Sequence, residues 1–446
     1  MQTNLTKGSV LKNLIIFSLP YLLSSFLQTF YGLADLFIVG QYNGADSSSA
    51  VSIGSQVMHM VTLVIVGLAM GSTVMISQSV GAGNDKRAAK AIGNTVTIFL
   101  IVSLVMTALL LIFCDVIVSV MSTPEKAVAQ TKTYLMICFA GIPFITAYNI
   151  ISCILRGLGD SRSPMYFVAV ACLFNVLIDF VLIGHFDMGA AGAALGTVIS
   201  QTISVIVAII VLLKRDMGIR LEKADFAIDR DVIAYIFKVG VPVSVQDLFI
   251  QISFAVITII ANRRGLVVSA AVGIVEKIIG FLFLIPSAML ATISAIAAQN
   301  IGAGMRERAR QTLRYGIIIT FTCGILFSII CQFASPAIVG LFTDDEGVIR
   351  MGVQYLMSYV FDCALAAIHF CFSGYFCACG RSVYSFVHNI VSALAIRIPG
   401  AYLASKLFPA TLYPMGWAAP AGSFVSACIC IIFYIHMRKR EKTVEN

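Results

Sequence analysis

Gln78-Ser79-Val80-Gly81-Ala82-Gly83 returns 221 residues later as Gln299-Asn300-Ile301-Gly302-Ala303-Gly304, in a chain of 446 residues. The same offset of 221 carries Val120-Met121-Ser122 onto Leu341-Phe342-Thr343, and Gly159-Asp160-Ser161 onto Gly380-Arg381-Ser382. Leu19-Pro20 falls on Val241-Pro242 at 222, and only near the end does the register drift, with Met188-Gly189 matching Met415-Gly416 at 227. That drift predicts an insertion in the loop between the last two membrane spans. The chain therefore reads as two copies of one unit.

Between these markers the sequence is almost wholly apolar. Hydrophobic residues make up 59% and charged residues 12%, and mean hydropathy is +0.94, against roughly 45–50% and 25% in an average soluble domain. A soluble protein is excluded. The apolar residues run in blocks long enough to cross about 30 Å of hydrocarbon as helices. Punctuation by Gly, Pro and charge places spans at 13–39, 50–78, 93–121, 130–155, 164–184, 189–213, 232–261, 267–298, 313–341, 348–378, 382–408 and 414–437. Twelve spans in two sixes follow, with an N-lobe at 1–213, a polar linker at 214–231 and a C-lobe at 232–446. An even number of spans separates the copies, so both cross the membrane in the same sense, as a parallel repeat about an axis along the membrane normal. The first block, Leu14 to Val39, is too long for a signal-peptide core and lacks a small-residue cleavage site, so it stays as a span.

Net charge is +8, which in a soluble chain would suggest nucleic acid. Here the distribution matters more. With the N-terminus inside, 22 Lys and Arg fall on the cytoplasmic side and six outside, while Lys277 and Arg397 lie within spans. Excess cations mark cytoplasmic loops, so both termini are expected in the cytoplasm. The 12 cysteines lie mostly within apolar blocks and read as small buried side chains rather than a disulfide framework. Cys371, Cys377 and Cys379 match no zinc spacing.

No phosphate-binding loop, His-Glu-x-x-His or Gly-x-Ser-x-Gly motif is present, which argues against ATP-driven transport and against an enzyme. Charged residues inside spans carry the chemical information, because each costs a few kcal/mol at the bilayer centre unless it has a partner or a function. Asp35 follows Tyr31 by four residues and Pro20 by fifteen on the first span. Asn175 and Asp179 share one face of the fifth span, and Thr197 adds a hydroxyl from the sixth. Two carboxylates, an amide and a hydroxyl suit a hard cation such as Na+, or one carboxylate can hold a proton. The plainer reading is that both Asp residues satisfy local groups and only stabilise packing.

Pro20, Tyr31 and Asp35 with Phe37-Ile38-Val39-Gly40, the two Gly-Ala-Gly loops, and Arg156-Gly157-Leu158-Gly159-Asp160-Ser161-Arg162-Ser163-Pro164-Met165 together resemble the multidrug and toxic compound extrusion (MATE) family over nearly the whole chain. The resemblance implies an all-α membrane protein of twelve helices in two six-helix lobes related by pseudo-two-fold symmetry, arranged as a V. It implies export of organic, cationic or amphipathic compounds driven by inward flow of H+ or Na+, with no cofactor. Site residues implied in the N-lobe are Asp35, Asn175, Asp179 and Thr197, with Pro20 and Tyr31 as gating or supporting residues. The branch with a C-lobe ion site departs here, because its acidic positions align near Ile250 and Ala366. Asp247, Gln251, Asp362 and Arg397 are then candidates for a displaced C-lobe polar site, or each has a local partner.

Arg397 is expected to pair with Asp362 or to hold an anion. Glu276 and Lys277 are expected near the outer end of the eighth span, snorkelling to the interface, and His59, His369 and His388 are expected to pack. The expected whole is a monomeric multidrug antiporter of the plasma (inner) membrane, with small organic substrates and no nucleic-acid partner. A flippase for a lipid or lipid-linked precursor is the alternative; an integral-membrane enzyme or a receptor ranks below both.

Overall fold

The computed structural model describes residues 4–214 and 218–445. Part of the polar linker expected at 214–231 lies outside these residues, as do the outermost residues of the two expected lobes. Helices carry the fold, and no strand occurs among the described residues.

Among the described residues, nine helices are long and apolar enough to span a bilayer, and two bent pairs, each counted as one span, bring the number to eleven. The twelfth is hidden in the first helix. Val10–Gly81 runs for 72 residues, but Gly44 (φ 76, ψ −168) leaves the helical region, so two spans meet at one residue. Positive φ costs a glycine almost nothing and a side-chain-bearing residue a good deal. A loop over 40–49 was expected there; instead the polar residues on both sides of Gly44 stay helical, which keeps their backbone groups paired at the membrane surface.

Other spans are interrupted where the sequence suggested continuous helices. Glu125–Ala140 and Ile142–Gly157 meet at Gly141 with a 50° bend, and Glu346–Tyr359 and Asp362–Ala378 meet with one of 43°. Pro143 opens the second segment of the first pair, where its missing N–H costs nothing. Two spans carry π segments, Phe180–His185 and Ser392–Arg397. Such insertions are frequent at functional sites.

The chain folds as two compact units. One is chiefly Ile15–Gly240 with Gly302–Gly304; the other holds Gly8–Leu14, Val241–Ile301 and the chain from Met305 onward. The division thus falls inside the helix Arg230–Asn262, beyond the linker at 214–231. Small residues explain why the start of that helix stays with the first unit. A Cβ on Gly71 would lie 2.0 Å from Ile236 O, and one on Gly240 would lie 2.4 Å from Leu68 O, so the backbones touch as they do wherever membrane helices pack through small residues. Asn94, fully buried, ties the preceding segment down. Its Nδ2 donates to Asp225 O (3.2 Å) and Ala227 O (3.0 Å), and its Oδ1 accepts from Asp229 N (2.8 Å).

Each unit has its own apolar core, one around Tyr134, Leu135, Phe139 and Ile142, the other around Tyr355, Tyr359, Val360 and Met415. Large apolar side chains also point outward, Phe333 at 84% and Leu213 at 82% exposure. In water that would be unfavourable, but against lipid tails it is neutral, because the tails are as apolar as Leu.

Candidate functional site

The first unit brings Asp35, Asn175, Asp179 and Thr197 together. Asp35 lies on the first span and is 3% exposed; Asn175 and Asp179, at 1% and 0%, close the helix Arg162–Asp179 one turn apart. The π segment begins at the next residue, Phe180. Thr197 Oγ1 donates to Asp35 Oδ2 at 3.3 Å, and the side chains of Asp179 and Asn175 stand beside the same carboxylate.

What distinguishes this cluster is what it leaves unmade. Asp35 Oδ1, both carboxylate oxygens of Asp179 and both amide atoms of Asn175 are buried with no hydrogen-bond partner. An ionised carboxylate is acceptor-only, so two of them side by side cannot satisfy one another. Each buried unpaired group costs about 1–3 kcal/mol, more when charged. A proton on one carboxylate would supply the missing donor. A hard cation would use the same atoms differently, since carboxylate, amide and hydroxyl oxygens are the ligands such ions take. The donor set present therefore fits either a proton or Na+.

Neighbouring residues shape this site without having been legible in advance. Gly196 is the first: a Cβ there would lie 1.9 Å from Asp179 Oδ1, so the Asp179 carboxylate occupies the space a side chain would fill. Gln201 and Tyr148 stand by Tyr31, and Gln201 Oε1 is itself buried without a partner. Tyr134, bonded to Ser55 at 3.1 Å, and Cys138 are close enough to feel the Asp35 charge. Pro20 sits within an unbroken helical stretch, and Ser24 Oγ donates to its carbonyl at 2.9 Å. In the Arg156–Met165 stretch, Asp160 Oδ1 accepts from the backbone N of Arg162 and Ser163, 3.0 Å each, and Arg156 lies 4.4 Å from the Tyr21 ring centre.

The second unit does not assemble its four polar candidates. Arg397 Nη2 meets Asp362 Oδ2 at 2.8 Å, with both side chains almost fully buried. Asp247 Oδ1 instead accepts from Gln246 Nε2 at 3.3 Å, and Gln246 Oε1 is taken by Ser385 (2.8 Å) and Asn389 (3.2 Å). Gln251 joins neither group. Glu276, expected near the outer end of the eighth span, is the eleventh residue of Leu266–Leu282, about 15 Å from its start at 1.5 Å per residue. There it accepts from Thr258 Oγ1 at 3.2 Å, four residues before the end of Arg230–Asn262. His388 bonds Ser373 (3.0 Å) and Ser426 (2.6 Å), and His369 bonds Ser423 (3.3 Å). No group of three or more His, Cys, Asp or Glu among the described residues could hold a metal.

Comparison with known proteins gives the arrangement its relatives. The MatE family model matches residues 20–181 and 242–403, one stretch in each half. "Probable multidrug resistance protein YpnP" of Bacillus subtilis (strain 168) is 29% identical over 439 residues, 97% of this chain and 96% of the relative. "Multidrug export protein MepA" of Staphylococcus aureus (strain N315) is 25% identical over 417 residues, 91% and 89%. Among solved structures, the "Outward-facing conformation of a multidrug resistance MATE family transporter of the MOP superfamily" superposes with a TM-score of 0.92 at 22% identity, covering 100% of this chain and 98% of the other. That likeness concerns the fold. With a family match over both halves, the chain belongs to the MATE family, and it is a multi-pass membrane transporter and not an enzyme.

Proposed function

We propose that the chain is a multidrug antiporter of the plasma (inner) membrane, working as a monomer with both termini in the cytoplasm. It exports organic, cationic or amphipathic compounds while H+ or Na+ enters at Asp35, Asn175, Asp179 and Thr197. The observation that carries this reading is the pair of buried carboxylates whose remaining oxygens have no donor. Empty, the pair is two like charges in a dry place; loaded, it is neutralised. A proton or cation that binds one arrangement of the first unit better than another shifts the population toward it, by no more than its difference in affinity. Tyr31 and Pro20, on the same helix as Asp35, would transmit the change along the first span. Relatives named for multidrug resistance and export support the substrate class.

Asp362 and Arg397 neutralise each other, and Asp247 has its own partner, so we assign the second unit's polar groups to packing rather than to a second ion site. A lipid flippase would need several cationic side chains within its cavity. Arg397 is already neutralised and Lys277 is exposed, which places that reading second.

The test is export of a fluorescent organic cation from proteoliposomes under separately imposed Na+ and H+ gradients. Wild type should respond to one gradient and Asp35→Asn to neither, with the variant still folded. Undiminished export by Asp35→Asn would remove the site from the mechanism, and no gradient-driven export of any cation would favour the flippase.

A further inference from the structure

On the outer side of the first unit, in the orientation proposed above, lies a cavity of about 490 Å³ lined by Asn43, Ser47, Gln130, Thr133, Asp187 and Gly189, among others. It stands over the carboxylate cluster. Asn43 is eight residues beyond Asp35 on the same helix, about 12 Å at 1.5 Å per residue. Asp187 is eight beyond Asp179, Gly189 is eight before Thr197, and Thr133 adjoins Tyr134, which lies close to Asp35. The segments that build the site therefore all continue to the cavity wall.

Oxygen atoms are left over in this wall. Asn43 Nδ2 donates to Asp187 Oδ1, which leaves Asn43 Oδ1 buried with nothing to accept from, and Gln130 Oε1 is buried without a donor as well. Buried acceptors of this kind are normally paired. Gly189 keeps the space open, since a Cβ there would lie 3.3 Å from Ser47 Oγ and 3.8 Å from Asn43 Cγ. The repeat shows what the same place holds when it is filled. At an offset of 221, Asn43 before Gly44 (φ 76) becomes Arg264 before Gly265 (φ 102), so both halves turn at the same glycine. Arg264 Nη2 donates there to the carbonyls of Phe408 (3.2 Å), Pro409 (2.7 Å) and Thr411 (3.2 Å). Gln354, the counterpart of Thr133, accepts from Thr411 Oγ1 (2.8 Å) and Leu412 N (3.1 Å). The second unit thus carries its own cation at this position and pairs its oxygens. Among the described residues, the first unit lines the same place with a carboxylate, two unpaired amide oxygens and no Lys or Arg.

We propose that this cavity is a loading site that binds hydrated Na+ before the ion passes to Asp35 and Asp179, an inference that rests on reading those residues as the ion site. The oxygen set decides the class of ligand. Carboxylate, amide and hydroxyl oxygens are what hard cations take, whereas a neutral amide oxygen only accepts and does not carry a proton onward. Asp187 attracts the cation from bulk water, and the amide oxygens of Asn43 and Gln130 replace part of its shell. The volume of about 490 Å³ leaves room for the rest, since each water takes about 30 Å³. In the second unit the Arg264 guanidinium excludes such an ion.

The test uses the purified full chain in uncharged detergent, titrated with NaCl against N-methylglucamine chloride at constant ionic strength, with bound Na+ read from sodium NMR line broadening. Asp35→Asn removes a carboxylate of the inner cluster and should keep a saturable response, which belongs to the cavity. In that background Asp187→Asn should weaken Na+ binding at least tenfold, and Asn43→Arg, which installs the second unit's cation, should abolish it. Asp344→Asn, at an exposed carboxylate of the second unit, should leave it unchanged. Melting temperature reports whether each variant is folded; if Asn43→Arg is not, Asp187→Asn and Gln130→Leu decide. Loss of all Na+ binding in Asp35→Asn, or equal binding with and without the Asp187 carboxylate, overturns the proposal. So does displacement of Na+ by an equal concentration of choline, which would mark a site for organic ammonium groups. Export insensitive to Asp35→Asn, with Na+ still bound at the cavity, would instead overturn the ion-site reading alone and support the cavity as a Na+ site.

Discussion

Gly196→Ala is the sharpest probe of the carboxylate cluster, because it adds one methyl group at a known place. The new Cβ would fall 1.9 Å from Asp179 Oδ1 and 3.1 Å from its Cγ, where favourable contacts between heavy atoms begin near 3.5 Å. Asp179 has no exposed surface, so its carboxylate has no solvent to swing into. It must turn within a packed interior, or the sixth span must retreat. Overpacking of this kind costs about 1–3 kcal/mol, or roughly 2–4 °C of melting temperature per kcal/mol in a unit of this size. If the displaced carboxylate loses the same amount from ion binding, affinity for the coupling ion falls roughly 5- to 150-fold. The assay is a double-mutant cycle with Asp179→Ala, read by melting temperature in detergent. Once the carboxylate is gone the methyl meets little else, since the next neighbour, Asn175 Nδ2, lies at an ordinary 3.7 Å. Gly196→Ala should then cost close to nothing, and the interaction energy should equal almost the whole of its single-variant cost. Additive effects of the two substitutions would refute the reasoning.

Further outcomes follow from other contacts. Asn94→Ala strands the carbonyls of Asp225 and Ala227 and the N–H of Asp229; it should destabilise by about 1–3 kcal/mol and speed proteolysis within 218–229, and an unchanged cleavage rate would count against that anchoring role. Arg397→Met leaves Asp362 buried and unpaired and should cost about 3–5 kcal/mol, whereas Arg397→Met with Asp362→Leu should recover most of it, as thermal unfolding will report. The Lys90–Asp229 ion pair outside the membrane gives a pH signature. Asp229 is held below the usual carboxylate range by Lys90 and by the N–H of Val232, and Lys90 is raised by Asp229. The stability supplied through Asp229 is present above its ordinary pKa of about 3.9 and lost as pH falls through its lowered value. The part supplied through Lys90 is present below about 10.4 and lost as pH rises beyond its raised value. The gap in melting temperature between wild type and Asp229→Asn should therefore be flat near neutrality and close at both extremes; a gap persisting into strong acid would contradict this.

Much of the architecture was legible because crossing a bilayer demands a certain length of apolar chain, and that length is written directly in the order of residues. The repeat was equally plain, since Gly-Ala-Gly and Gly-x-Ser marked the same turns twice. The site was only half legible. Asn175 and Asp179 share a helix face by their spacing, but nothing local says that Asp35 arrives beside them, or that Thr197 supplies the donor. Gly196 gave no signal, because in a run of Gly and Ala one glycine resembles the next. The polar candidates of the second half were readable as individuals and not as a set: Arg397 did reach Asp362, while Asp247 turned to the residue beside it. The misplaced loop at 40–49 has the same origin, since polar composition marks the membrane surface but does not say whether the backbone there stays helical.

By itself the sequence determined that this chain crosses the membrane about twelve times in two related halves, and which few charged residues must lie within it. Those properties follow from solvation, which each segment meets largely on its own. Only the tertiary structure decided which of those charges meet. It put the carboxylate of Asp179 into the space left by Gly196 and gave Arg397 to Asp362. Such meetings depend on the packing of helices distant in sequence, where a single missing Cβ sets how close two backbones can come.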